Sequence, residues 1–162
     1  MYYELRDHFQ VRASIDQTWD FFTRVENLRQ VMPQWLRFQD PSNRPQLIGP
    51  DATLDFAIRW MGLRWRWQAK IIDWSPPRQF IDLQTRGPYV LWHHQHAFRS
   101  AQPGTECFDR VIYKLPGGPI GRLVHHKVSQ QLREVFRYRR KVIGEKLGWI
   151  RSLAPEVEIS RL

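Results

Sequence analysis

A single cysteine, Cys107, is all that the sequence holds, so no internal disulfide can form and the small disulfide-stapled secreted scaffolds are excluded. No stretch approaches the roughly 20 consecutive apolar residues that span a bilayer. The opening Met1-Tyr2-Tyr3-Glu4 carries no apolar run of signal-peptide type. A reducing, cytoplasmic setting is the expectation. Also missing are a nucleophile elbow, a P-loop and a dinucleotide glycine fingerprint, and Pro116-Gly117-Gly118-Pro119 reads as a turn and helix start rather than a phosphate cradle. Negative charge is in deficit: 16 Asp and Glu against 25 Lys and Arg leave a net +9, which draws a protein toward polyanions or anionic lipid surfaces.

Aromatic residues, by contrast, are abundant, with 8 Trp, 9 Phe and 5 Tyr in 162 residues. Large rings fill a core, and they equally suit a cavity wall, because each offers broad apolar area at little conformational cost. The length fits one domain, 1–162, with one good core.

Tyr3 to Val11 alternates as a first strand. Ser14 and Gln17 then stand at capping-box spacing, predicting a helix that carries Ile15, Trp19, Phe22 and Val25 on one face, followed by a second short helix over Glu26 to Val31. A short strand is expected near Leu36. Turn signals then recur about every ten residues: a loop from Pro41 to Pro50, Met61-Gly62, Ser75-Pro76-Pro77, Gly87-Pro88 and Ala101-Gln102-Pro103-Gly104. Five strands fit between these marks as an antiparallel meander. From Ile120 to Trp149 the apolar residues Leu123, Val124, Val128, Leu132, Val135, Phe136, Val142, Ile143 and Leu147 keep helical period. The expected fold is α+β of the helix-grip type: about seven curved antiparallel strands around one long C-terminal helix, with two short helices after the first strand. A sheet curled on a helix leaves a concave apolar space, the default binding site.

Period-two alternation sorts the strands. Leu54, Phe56, Ile58 and Trp60 share one face, and Trp65, Trp67, Ala69 and Ile71 share the matching face of the hairpin partner. Trp92, His94, His96 and Phe98 lie together, as do Asp109, Val111, Tyr113 and Leu115 on the next strand, so a carboxylate and a phenol can approach two imidazoles. Over Phe80 to Thr85, alternation favours Ile81 and Leu83 facing inward. Three readings of the His94, His96, Asp109 and Tyr113 cluster stay open: a polar network that sets strand register, a group that orients the polar end of an apolar ligand, or acid-base catalysis by His94 or His96 with Asp109. His94-Gln95-His96 with Asp109 offers three metal ligands, but neither Cys107 nor His93 completes a tetrahedral set by spacing, and no metal or other cofactor is expected.

With Gly87-Pro88-Tyr89, Trp92-x-His94-x-His96-x-Phe98, Asp109-x-Val111-x-Tyr113-x-Leu115-Pro116 and Gly121, the chain resembles a bacterial member of the START, polyketide-cyclase and allergen superfamily, SRPBCC. Asn27-Leu28 ahead of Pro33, Trp67, Ile71 and Phe80-x-Asp82-x-Gln84 add to the match. The resemblance spans nearly the whole chain. It implies a helix-grip fold with a deep hydrophobic cavity, in a superfamily that binds lipids, sterols, quinones or polyketides and includes some cyclases and dehydratases. It also implies that Asp82 and Gln84 face inward, against the alternation reading, and the polar patch is then Asp82, Gln84, His94, His96 and Asp109.

The expected function is carriage or sensing of a hydrophobic small molecule held by Phe56, Trp60, Trp67, Asp82, Gln84, Trp92, His94, His96, Phe98, Asp109, Tyr113, Val128, Leu132 and Phe136. The alternative is a cyclase or dehydratase acting through His94 or His96 with Asp109. Arg122, Lys127, Arg133, Arg137, Arg139, Arg140, Lys141 and Lys146 make the last helix basic, an outer face suited to an anionic membrane, where each cation adds about 1 kcal/mol. Nucleic acid is not an expected partner, because the aromatics lie on inward faces rather than among the exposed cations.

Overall fold

A computed structural model of the chain describes residues 1–40, 47–154 and 156–162, without the side chains at positions 119, 120 and 122. Strand β1 spans Tyr3–Val11 and is followed by helices α1, Ile15–Phe22, and α2, Val25–Gln30. The capping box forms: Gln17 N–H donates to Ser14 Oγ at 3.2 Å and Ser14 N–H to Gln17 Oε1 at 3.0 Å. Both groups would otherwise be orphaned at the helix start.

Strands β2, Thr53–Trp60, β3, Leu63–Ser75, β4, Gln79–Arg86, β5, Leu91–Ser100, and β6, Thr105–Lys114, form the meander. Between β2 and β3 the two-residue loop Met61-Gly62 holds both φ angles positive, at 53° and 80°. This primed turn matches strand twist and favours glycine at its second position. The long helix α3 runs over Pro119–Leu147, two residues short of the expected end, and Gly148 with φ 80° stops it. At 1.5 Å per residue its 29 residues extend about 43 Å.

Two expectations are corrected. No strand forms near Leu36: Gln34–Leu36 is a single 3-10 turn, and this segment pairs with the sheet through the isolated bridge of Gln39 to Ala57. After α3, β7, Trp149–Ser152, and β8, Glu158–Arg161, both pair with β1, making eight strands among the described residues, in the order β2-β3-β4-β5-β6-β1-β7 with β8 also on β1. The two short strands lie against β1 end to end, β8 on Tyr3 to Arg6 and β7 on Phe9 to Val11. Four-residue strands carry too little alternation to be seen in sequence. Lastly, Leu123 and Val124 are exposed, and the buried stripe of α3 starts at Val128. Of the loop expected over Pro41 to Pro50, residues 41–46 lie outside the described residues.

Register shifts at Gln68/Ala69 and at Ile71/Asp73 bend β3 against β4, the usual effect of an extra residue in one strand. Two apolar clusters result. One joins Trp67, Trp92, Tyr113, Val128, Leu132 and Phe136, and the other joins Phe9, Trp19, Ile71, Phe80, Phe98 and Ile143. The candidate site opens where they meet.

Candidate functional site

A cavity of about 140 Å³ remains between sheet and helix. Its walls are Phe56, Ile58, Trp60, Trp67 and Ala69 from β2 and β3, and Leu132, Val135, Phe136 and Ile143 from α3. Trp67 meets Trp92 edge-on at 5.3 Å and stacks on Phe56 at 5.7 Å, so the indoles hold one another rigid. The third expected tryptophan, Trp65, packs against the core, and its Nε1–H donates to Trp60 O at 3.3 Å.

At one end of this apolar space lies a compact group of charges. Trp92, His94, His96 and Phe98 are all buried, as alternation requires. Antiparallel pairing sets Asp82 opposite His94 on one side and Asp109 opposite His96 on the other. His94 Nε2 stands 2.9 Å from Asp109 Oδ1, and His96 Nδ1 stands 2.8 Å from the same oxygen, close but out of line for a hydrogen bond. His96 Nε2 is 3.3 Å and His94 Nδ1 3.6 Å from Asp82 Oδ2. The imidazoles are 3.8 Å apart.

Such crowding separates the protonation states of like groups. Burial, with His96 adding to it, pushes His94 down to about 4. For His96 burial acts the same way, but Asp109 and Asp82 outweigh it and raise its pKa. Burial also opposes ionisation of Asp109, yet His96, His94 and Arg139 hold its carboxyl well below the usual range. Asp82 is lowered likewise, against burial, chiefly by its bond to His96.

Arg139 is one of two residues that sequence reasoning misplaced. Assigned to the basic outer face, it is buried, lines the cavity, lies over the Phe136 ring at 5.4 Å and reaches to 4.0 Å from Asp109. Its Nε has no hydrogen-bond partner among the described residues. Arg140, also assigned outward, is buried against Asp7 at 3.0 Å. A signal existed: Arg139 stands three residues after Phe136 and four before Ile143, on the apolar stripe itself.

Of the expected site residues, Phe56, Trp60, Trp67, Asp82, Trp92, His94, His96, Leu132 and Phe136 line the cavity. Asp109 lies behind the imidazoles, and Phe98 and Val128 are core without reaching the space. Tyr113 is drawn away: its hydroxyl meets His125 Nε2 at 3.0 Å, and burial pushes its pKa up. Gln84 also serves elsewhere, donating to Tyr89 O at 2.7 Å and accepting the Tyr89 N–H at 3.4 Å, so it clamps the β4–β5 loop. The alternation reading of β4 is overturned, because Phe80 is buried and Asp82 reaches the cavity. An aspartate inward and a leucine outward defeats hydropathy, and only charged neighbours explain it. Sequence reasoning also missed the wall made by α1, α2 and the 3-10 turn: Phe21, Phe22, Asn27, Leu28, Met32 and Trp35. The pair Asn27-Leu28 was visible, but not its destination.

Solved structures share this fold. TTHA0849 from Thermus thermophilus superposes with a TM-score of 0.71 at 16% identity, covering 89% of this chain and 96% of that one. The di-domain ARO/CYC BexL from the BE-7585A biosynthetic pathway gives 0.69 at 15% identity over 93% of this chain and 51% of that one. Ara h 8.0201 gives 0.59 at 12% identity over 90% and 97%. No curated protein matches. Residues 11–138 match the model described as polyketide cyclase / dehydrase and lipid transport, and the chain belongs to that family, within the SRPBCC superfamily of helix-grip folds that bind hydrophobic small molecules.

Proposed function

We propose that the protein is a carrier or sensor of a hydrophobic small molecule, which enters apolar end outward and sets its polar end on His94, His96, Asp82 and Arg139. The observation that carries this reading is the coexistence of an indole-walled space with one buried polar group at its end. A volume near 140 Å³ is below the roughly 300 Å³ of common ligand pockets, so an occupant larger than one or two rings extends toward Trp35 and Met32. Lipid, quinone and polyketide chemistries all supply an apolar body with one oxygen-bearing end.

The test is uptake of an apolar fluorescent probe. Ala69, buried between β2 and β4 on the cavity wall, is replaced by Leu. Wild type takes up the probe and Ala69→Leu excludes it while melting within a few degrees of wild type. Equal uptake by both proteins defeats the reading.

A second reading, cyclase or dehydratase chemistry, is favoured by one observation: His94 lines the cavity with its far nitrogen on Asp109, the arrangement of an oriented general base. Replacing His94 and His96 by Gln abolishes turnover with binding retained under this reading, and only weakens retention under the first. Of the cations expected to face an anionic membrane, Arg139 and Arg140 are internal, Arg137 faces Glu156 at 2.8 Å and Lys141 faces Glu145 at 3.9 Å. No helix among the described residues is long and apolar enough to cross a membrane.

A further inference from the structure

Each imidazole at the cavity end shows one nitrogen to Asp109 and the other to Asp82. His94 does so with Nε2 behind and Nδ1 in front, and His96 with Nδ1 behind and Nε2 in front. The two rings are thus turned in opposite senses against the same carboxylate oxygen, Asp109 Oδ1, which is hydrogen-bonded to His94 Nε2 and stands close behind His96 Nδ1. Metal-bound histidines use this device, passing the outer nitrogen to a carboxylate that fixes tautomer and ring orientation.

The front atoms stand at ligand-like separations: His96 Nε2 meets Asp82 Oδ2 in a long hydrogen bond of 3.3 Å, and His94 Nδ1 lies beyond hydrogen-bond reach of the same oxygen at 3.6 Å. Asp82, His94 and His96 each offer one ligand atom, and the three atoms lie within 4.8 Å of one another. Charge-assisted hydrogen bonds close to about 2.7–2.9 Å. Atoms bound at about 2.1 Å to one tetrahedral centre lie about 3.4 Å apart. All three residues line the cavity, whereas Asp109 does not.

We propose that Asp82, His94 and His96 form a binding site for a divalent transition-metal ion of the Zn²⁺ type, with Asp109 as the carboxylate behind them that orients His94 and faces His96. Two nitrogens and one carboxylate oxygen suit Zn²⁺, Co²⁺ or Fe²⁺ and not the all-oxygen preference of Ca²⁺. With three protein ligands, the remaining position faces the apolar cavity, where an oxygen on a bound molecule, or water, completes the shell. Arg139, near Asp109 and over Phe136, lies at the edge of the same space. The site departs from the expectation of no metal because that expectation counted Asp109 as a ligand and searched for a tetrahedral set in sequence; Asp82, on a separate strand, is the front carboxylate. This inference stands apart from the carrier reading, since it needs neither an organic ligand nor turnover.

The experiment uses the full chain without an affinity tag, stripped with a chelator. Co²⁺ is titrated while visible absorption is followed, Zn²⁺ is titrated against a chromophoric chelator, and melting is recorded with and without Zn²⁺. Expected are one saturable equivalent, a visible Co²⁺ band displaced by Zn²⁺, and a Zn²⁺-dependent rise in melting temperature. Asp82→Asn, which keeps side-chain shape, loses the equivalent and the rise; Asp109→Asn weakens affinity about 10- to 100-fold; His93→Gln, which points away, changes nothing. The proposal is overturned if wild type shows no saturable equivalent, or if Asp82→Asn and His94→Gln bind Zn²⁺ as wild type does. Should Asp82→Asn not fold, the wild-type titration and His94→Gln decide alone. Probe uptake measured on the same samples separates the two readings: metal binding without uptake defeats the carrier alone, and uptake without metal binding defeats the metal site alone.

Discussion

Arg139 and Asp109 face one another at 4.0 Å inside the protein, both nearly inaccessible to water, one from the long helix and one from the centre of the sheet. The pair ties the helix to the sheet through charge at the place where apolar packing is interrupted by the cavity. A buried cation missing from such a group leaves carboxylates uncompensated, and that costs more than the pair itself contributes.

Arg139→Met keeps the stem and removes the charge. Its expected cost is about 3–5 kcal/mol in urea unfolding at neutral pH, whereas Arg137→Met, at the exposed pair with Glu156, costs about 0.5 kcal/mol or less. Equal effects at the two positions would show that Arg139 is not part of the charge balance.

Asp7 predicts a pH dependence. Burial pushes its carboxyl up to about 7 against the pull of Arg140, with Asp109 adding to the rise and the His8 amide and Arg139 opposing it. An unfolded aspartate titrates near 3.9, so the folded state holds this proton more tightly. The stabilisation is fully present below about pH 4 and is lost as pH climbs to about 7. It amounts to about 2–4 kcal/mol. Melting temperature should therefore fall less between pH 5.5 and 8 in Asp7→Asn than in wild type, the histidines being common to both. Parallel profiles would rule Asp7 out.

Gln84 holds the loop between β4 and β5 rather than a ligand. Gln84→Ala should cost about 1 kcal/mol and speed amide hydrogen exchange at Tyr89, while apolar probe uptake stays at the wild-type level. Lost uptake with unchanged exchange would return Gln84 to the binding site.

Ser14 caps the helix that carries Phe21 and Phe22 to the cavity. Ser14→Ala removes the acceptor for the Gln17 amide and should lower stability by about 1 kcal/mol, read by chemical denaturation. A change below a few tenths would mean that α1 is held by packing alone.

How much was legible follows from which forces are local. The capping box, the hairpin turn at Met61-Gly62 and the inward faces of β2, β5 and β6 were readable because each depends on neighbours within a few residues. The family resemblance supplied what alternation could not, the inward turn of Asp82. The short strands β7 and β8 escaped because four residues hold no period, and their pairing with β1 joins residues about 150 positions apart.

The sequence by itself determined the helix-grip plan, the wall of indoles and the strand on which two imidazoles share one face, since hydrophobic period and turn chemistry act along the chain. Only the tertiary structure decided which charges are internal. Arg139 and Asp82 look like surface residues until opposite charges from other elements close around them, and the burial of an ion depends on partners brought together from far along the chain.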